Sequence, residues 1–152
     1  MLVFISFLAS CGNHHDTPWE NLHTLERFPV AAPDEERHVI YLQPAESGLT
    51  TGVELLAGKM MEVDCNPHGL EGEIHSVKAK TLYVYYRFET NGQVFSTLMT
   101  CPDTSRKTKL VPAAPLGILH DYRYPVVIYT PKGYEIHYRT DAHSGLRKAK
   151  QG

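Results

Sequence analysis

The segment Pro125-Val126-Val127-Ile128-Tyr129-Thr130-Pro131 constrains the fold of this chain more than any other. Its residues between the prolines are almost continuously apolar, the pattern of a central strand covered on both faces. Pro131 and Gly133 end it, since proline cannot donate to a sheet ladder. Neighbouring strands are legible on either side in sequence. Leu82, Val84, Tyr86 and Phe88 share one face of an alternating run and Tyr83, Tyr85 and Arg87 the other, as a pleated strand requires. Asn91-Gly92 follows, a hairpin signal because both residues accept positive φ. Tyr134-Glu135-Ile136-His137-Tyr138-Arg139 alternates again, and His38-Val39-Ile40-Tyr41-Leu42 and Lys109-Leu110-Val111 read as further strands. Residues 53–64 read as two short strands broken at Gly58.

Ten Pro and eleven Gly cut the 152 residues too often for long helices, and nine Tyr and five Phe favour strands. Short strands at this spacing predict an all-β, single-domain antiparallel barrel or sandwich. A chain of this length buries about 70% of its unfolded surface, enough for a core. The charge of −2, from 15 Lys+Arg against 17 Asp+Glu, supplies no basic face for nucleic acid.

Residues 1–10 begin with the apolar run Met-Leu-Val-Phe-Ile-Ser-Phe-Leu-Ala, too short to span a bilayer. The run reads as the core of an export signal, although no Lys or Arg precedes it. Leu8-Ala9-Ser10-Cys11 resembles a bacterial lipoprotein signal, which makes Cys11 a candidate lipidation site and lipid anchor. Residues 11–21 read as a polar tether. His14-His15-Asp16 within it reads as linker, since no further ligand follows at a metal-binding spacing. With Cys11 set aside, Cys65 and Cys101 are an even pair in an oxidising compartment, the setting in which disulfides form. The alternative is a metal site of Cys65, His68, Cys101 and His75, which lacks a second paired motif.

Enzyme chemistry finds no foothold. No Gly-x-Ser-x-Gly elbow, phosphate-binding glycine loop or His-Glu-x-x-His motif is present. His38, His68, His75, His120 and His137 are scattered singly, and neither Ser96 nor Ser144 has a base that spacing can nominate. The informative stretch is Val94-Phe95-Ser96-Thr97-Leu98-Met99-Thr100-Cys101-Pro102-Asp103. It reads equally as a core strand with Leu98 and Met99 inward or as an exposed loop offering an extended peptide to another protein.

Further blocks stand in a fixed order around that stretch. Val53-Glu54-Leu55-Leu56-Ala57-Gly58-Lys59 and Glu62-Val63-Asp64-Cys65-Asn66-Pro67-His68 precede it, with Tyr85-Tyr86-Arg87-Phe88, and the 125–131 strand follows it. Together, over roughly residues 22–140, they resemble the ecotin family, dimeric inhibitors of trypsin-fold serine proteases from the Gram-negative periplasm. The resemblance implies an ecotin-type all-β domain with long surface loops, a Cys65–Cys101 disulfide, and a periplasmic address. It implies a protease-binding loop of Ser96, Thr97, Leu98, Met99 and Thr100, with Leu98 as primary specificity residue and Leu98–Met99 as the scissile-bond equivalent. A second protease-contact region would fall on Lys80, Thr81, Leu82 and Tyr83 and on His120, Asp121, Tyr122 and Arg123. There Ala79-Lys80-Thr81-Leu82-Tyr83 lacks the Trp and glycines of the family's loop. A loop held extended competes with substrate, and it binds well when the entropy of ordering it is lost in folding instead of in binding.

The expected partners are chymotrypsin- and elastase-like proteases, with trypsin-like enzymes weaker, and a second copy of the chain. Tyr134, Ile136 and Tyr138 make an apolar face on what a monomer would leave as an edge, which invites pairing with another chain, and the ecotin resemblance implies that residues 134–152 form a C-terminal arm exchanged between two subunits. No catalytic residue, cofactor, metal or membrane span is expected. The reading from another class is a surface-anchored β-sandwich binding module for a sugar or host protein, with the Leu98 segment in its core.

Overall fold

The computed structural model describes residues 25–44, 48–80, 83–141 and 143–152. The export signal, the tether and Cys11 lie outside the described residues, as do Thr81 and Leu82. The described residues are almost entirely strand and loop. Two five-stranded sheets pack face to face, joined by a two-stranded ribbon. They form a sandwich and do not close into a barrel.

The first sheet runs in the order β12 (Lys150–Gln151), β1 (Glu35–Ile40), β9 (Val126–Pro131), β5 (Val84–Glu89), β4 (Glu73–Lys78). The 125–131 segment thus lies centrally, and its residues 126–130 are all buried. Val126 and Ile128 face the second sheet, while Val127 and Tyr129 pack with Tyr85 beneath Phe28 and Leu25 of the N-terminal segment. The two groups of core residues follow strand alternation, so β9 is covered on both faces as its composition requires. β5 and β9 run parallel, a departure from the expected antiparallel pattern. The reason is connectivity: the chain makes three strands elsewhere before returning to lie beside β5.

The second sheet is built on β2 (Thr50–Val63), with β10 (Glu135–Arg139) and then β11 (Arg147–Lys148) on one side. β8 (Leu116–Asp121) and β7 (Lys107–Pro112) share its other side. The expected break at Gly58 is absent, and β2 is one 14-residue strand. Gly58 is where β7 begins to pair, and a Cβ there would lie 2.7 Å from the Val111 carbonyl oxygen. Glycine marks a close approach of backbones here, not a chain break.

Asn91-Gly92 also departs from expectation. Gly92 does take a φ of +77°, but the strands flanking the turn do not pair. The turn hands the chain from β5 to β6 (Val94–Ser96), which pairs instead with β3 (His68–Leu70). Glu71 secures it: its carboxylate accepts from Asn91 Nδ2 at 2.7 Å, and its backbone N–H donates to the Gln93 carbonyl.

The C-terminal segment corrects the edge-strand expectation. β10 is flanked by β2 and β11, Ile136 is fully buried, and the Ala149 N–H donates to the Ile136 carbonyl. The chain then crosses to the first sheet, where β12 pairs with β1 and the Gly152 N–H donates to the Arg37 carbonyl at 3.0 Å. Both edges of β10 are therefore paired within this chain, and Ile136 packs in the core against residues of the first sheet.

One polar pair is enclosed in the core. His38 Nε2 lies 2.9 Å from the Thr130 hydroxyl, and Nδ1 has no hydrogen-bond partner among the described residues. Burial lowers the His38 pKa from its ordinary 6.5. Below pH 6.5 the unfolded side chain takes up a proton that the folded one resists, so stability falls with pH until the lower folded value is passed. His120, also lowered by burial, adds to this trend. We expect the melting temperature to drop from pH 7.5 to pH 5 and the slope to lessen in His38→Gln; equal slopes would remove His38 from the account.

Candidate functional site

The short ribbon of β3 and β6 delivers residues 97–100 to the surface. Registers His68↔Ser96, Gly69↔Phe95 and Leu70↔Val94 hold the entering strand, and the Thr97 N–H extends the ladder to the Pro67 carbonyl. On the far side, Cys101 is bonded to Cys65 with Cα atoms 5.7 Å apart. With both sulfurs in that bond, the metal alternative for Cys65 and Cys101 is removed.

Between these two fixed ends Leu98 is 98% exposed and Met99 61% exposed. Ser96, Thr97 and Thr100 are exposed as well. The core-strand alternative is therefore excluded, and with it the form of the binding-module reading that needed Leu98 inside.

One buried side chain orders the loop. Asn66, 7% exposed, accepts at Oδ1 from the Thr97 hydroxyl and from the Met99 N–H, both at 2.9 Å. Its Nδ2 donates to the Met99 carbonyl at 3.2 Å and to Asp64 Oδ2 at 3.1 Å. The two residues flanking Leu98 are thus tied to a single amide while Leu98 itself projects free. Asn66 is in turn held by its neighbours. Its N–H donates to Asp64 Oδ1 at 2.8 Å, and its carbonyl accepts from His68 Nδ1 at 2.7 Å, which fixes the proton on that ring nitrogen. The bond from the Asn66 backbone amide, reinforced by its side chain, holds the Asp64 carboxyl below its ordinary pKa. Asparagine fits because it offers an acceptor and a donor on one rigid plane.

Asn66 was not among the residues that sequence reasoning assigned to the site. The available signal was its place beside Cys65 in Cys65-Asn66-Pro67-His68, and no rule of spacing links it to residues 31 and 33 positions away. We expect Asn66→Ala to leave the fold intact and to loosen residues 97–99. Affinity for a protein partner that receives the loop in extended form should fall about 10- to 100-fold, the loss of two or so hydrogen bonds to a preordered loop. An added protease should also clip the loosened segment faster, seen by mass spectrometry. Unchanged affinity and clipping would make Asn66 a packing residue only.

The second set of predicted residues lies elsewhere. Lys80 is exposed at the β4–β5 tip, and Tyr83 is half-buried there. The tip and the Asn91-Gly92 turn sit at opposite ends of β5, which at six residues is about 20 Å long. Tyr83 meets the 119–124 segment through an edge-on contact with Tyr124, ring centroids 5.8 Å apart. Around them a cavity of about 620 Å³ is lined by Arg27, Phe28, Tyr83, Leu119, His120, Asp121 and Tyr124, among others. Leu119 is 79% exposed. Arg123 bonds Asp121 through Nε at 3.0 Å and Nη2 at 2.6 Å, and lowers its carboxyl pKa to about 2. The structure thus joins Tyr83 with His120 and Asp121, while Lys80, Tyr122 and Arg123 do not line the cavity.

Among the described residues no group of three His, Cys, Asp or Glu could hold a metal, and no helix is long and apolar enough to cross a membrane. A family model for ecotin matches residues 24–141. The chain belongs to the ecotin family. Its relatives of that name include one from Serratia proteamaculans, 36% identical over 161 aligned positions covering 99% of this chain and 92% of the relative. Another, from Pseudomonas putida, is 38% identical over 130 positions, 81% of this chain and 80% of the relative. A third, from Yersinia enterocolitica, is 36% identical over 138 positions, 85% and 80% respectively. Membership of the ecotin family places the chain among serine protease inhibitors and not among enzymes.

Proposed function

We propose that this protein is an exported, periplasmic inhibitor of trypsin-fold serine proteases, directed at chymotrypsin- and elastase-like enzymes. Residues 96–100 would lie in the protease cleft with Leu98 in the primary pocket and Leu98–Met99 in place of the scissile bond. The observation that carries this is Leu98, 98% exposed between two residues that Asn66 holds from beneath. An apolar side chain suits an apolar primary pocket, whereas trypsin's pocket is built for a cation. Cleavage would leave both new ends tied down, Thr97 by Asn66 and Met99 by Asn66 and the nearby disulfide. Held ends favour re-ligation over release, so turnover stays slow.

The cavity between the β4–β5 tip and the 119–124 segment would form the secondary contact region. Its separation along β5 from the Asn91-Gly92 turn, after which the chain enters the loop, suits a second contact made by another subunit. Because β10 has strands on both sides, a dimer through residues 134–152 would exchange these strands between chains, with Pro131-Lys132-Gly133 as the hinge. Linked contacts of that kind raise apparent affinity by about 10²–10⁴.

The test is titration of chymotrypsin, elastase and trypsin with the purified protein, alongside light scattering. Residual activity should fall stoichiometrically for the first two. Failure against all three would sink the inhibitor reading, and a monomer at micromolar concentration would remove the exchange.

A further inference from the structure

Beside Leu98 the loop exposes Met99, whose sulfur is chemically reactive where the leucine is inert. The other sulfurs of the described residues are less open to attack. Cys65 and Cys101 are bonded to each other, so neither is a thiol. Met61 packs against the core, and Met60 lies on β2 at 43% exposure. Met99 is 61% exposed, the most open methionine among the described residues.

The way Met99 is held decides what its oxidation would do. Its N–H donates to Asn66 Oδ1 at 2.9 Å, and its carbonyl accepts from Asn66 Nδ2 at 3.2 Å. Both bonds use the backbone, and neither needs the thioether. A change of chemistry at the sulfur therefore leaves the support of the loop in place and alters only the surface that the loop presents. Sulfoxide formation makes an apolar, flexible side chain polar and chiral. A partner that covers this side chain must then desolvate a strong S–O dipole, which is unfavourable unless a donor happens to meet it.

From this geometry we propose that Met99 is an oxidative modification site, at which a peroxide-class oxidant switches the inhibitor off. The reaction balances. The sulfur lone pair attacks one peroxide oxygen and the O–O bond breaks. The departing hydroxide takes the proton from the transferred oxygen and leaves as water. Sulfur is oxidised by one electron pair and the peroxide is reduced by the same pair. The step is reversible through the thiol-dependent reductases that act on methionine sulfoxide, which separates a switch from damage. The proposal rests on the inhibitor reading above and adds a regulation of the same loop.

The experiment treats the intact protein, Met99→Leu and Met60→Leu with hydrogen peroxide, removes the peroxide with catalase, and then titrates chymotrypsin and elastase. Each protein is compared with its own untreated sample, so any effect of the substitution itself cancels. Peptide maps by mass spectrometry locate the added oxygen, and thermal melts run in parallel. Met99 should gain oxygen ahead of Met60 and Met61. The oxidised parent should inhibit about 10-fold less well or worse, while its melting temperature stays close to that of the untreated sample. Treated Met99→Leu should keep its untreated constant, and treated Met60→Leu should lose inhibition as the parent does. Methionine sulfoxide reductases should restore the parent. Complete oxidation of Met99 with less than a threefold change would overturn the proposal. So would a loss that persists in Met99→Leu, which places the sensitive group elsewhere. If the untreated parent inhibits neither enzyme, the inhibitor reading falls and the switch falls with it. If the untreated parent inhibits and only the effect of peroxide is missing, that reading stands and the switch alone is rejected.

Discussion

Leu98→Asp should lower affinity for chymotrypsin by about 1,000-fold or more, the largest effect expected of any single change in this chain. Two terms combine. The apolar side chain proposed to fill the primary pocket is lost, worth about 2 kcal/mol. A carboxylate must then enter an apolar site or stay out of it, which costs at least as much again. Because Leu98 touches the rest of the protein so little, at 98% exposure, the melting temperature should not move. Leu98→Arg should trade chymotrypsin for trypsin, whose pocket holds a carboxylate. Inhibition assays with both variants check this directly. If Leu98→Asp inhibits chymotrypsin as well as the parent does, the primary residue lies elsewhere.

The next largest effect should come from opening the disulfide. Closing a loop with a sequence separation of 36 removes about 3–4 kcal/mol of entropy from the unfolded chain. Cys65→Ser should therefore lower the melting temperature by roughly 10 °C for a domain of this size. Affinity should fall as well, because Cys101 fixes the loop two residues after Met99, and Asn66 Nδ2 also approaches Cys101 Sγ at 3.5 Å. Calorimetry measures the first effect and inhibition titration the second. A melting temperature within 2 or 3 °C of the parent, hence a cost near 1 kcal/mol, would show that the native bond closes a chain already held together elsewhere.

Much of the β architecture was written in local pattern. The apolar run of residues 126–130 became the buried centre of a sheet, and the alternation at residues 84–88 became β5 with Tyr86 and Phe88 in one core and Tyr85 in the other. These succeed because side-chain period and burial are properties of adjacent residues, and water excludes them in the same way wherever the strand is placed. Pairing was less legible. Asn91-Gly92 carried a true turn and a false partner, since a turn signal says that the chain reverses but not which strand awaits it. Gly58 looked like a break because the sequence does not show that Val111 will press its carbonyl against that position.

The candidate site divides along the same line. The order of its blocks tied the loop to a family. Exposure of Leu98 did not follow from that order, since Leu-Met beside Val-Phe fits a core equally well. Tertiary structure decided it, through the ribbon of β3 with β6, the Cys65–Cys101 bond and the Asn66 amide. The C-terminal strand shows the converse. Its alternation was clear, but β2 and β11 pair both its edges within one chain and Ile136 packs in the core, which no local pattern announces. Sequence alone determined which residues avoid water, because that preference belongs to each side chain and its near neighbours. Only the tertiary structure decided which of them find cover and which, like Leu98 and Met99, are held outside, because cover comes from segments far along the chain.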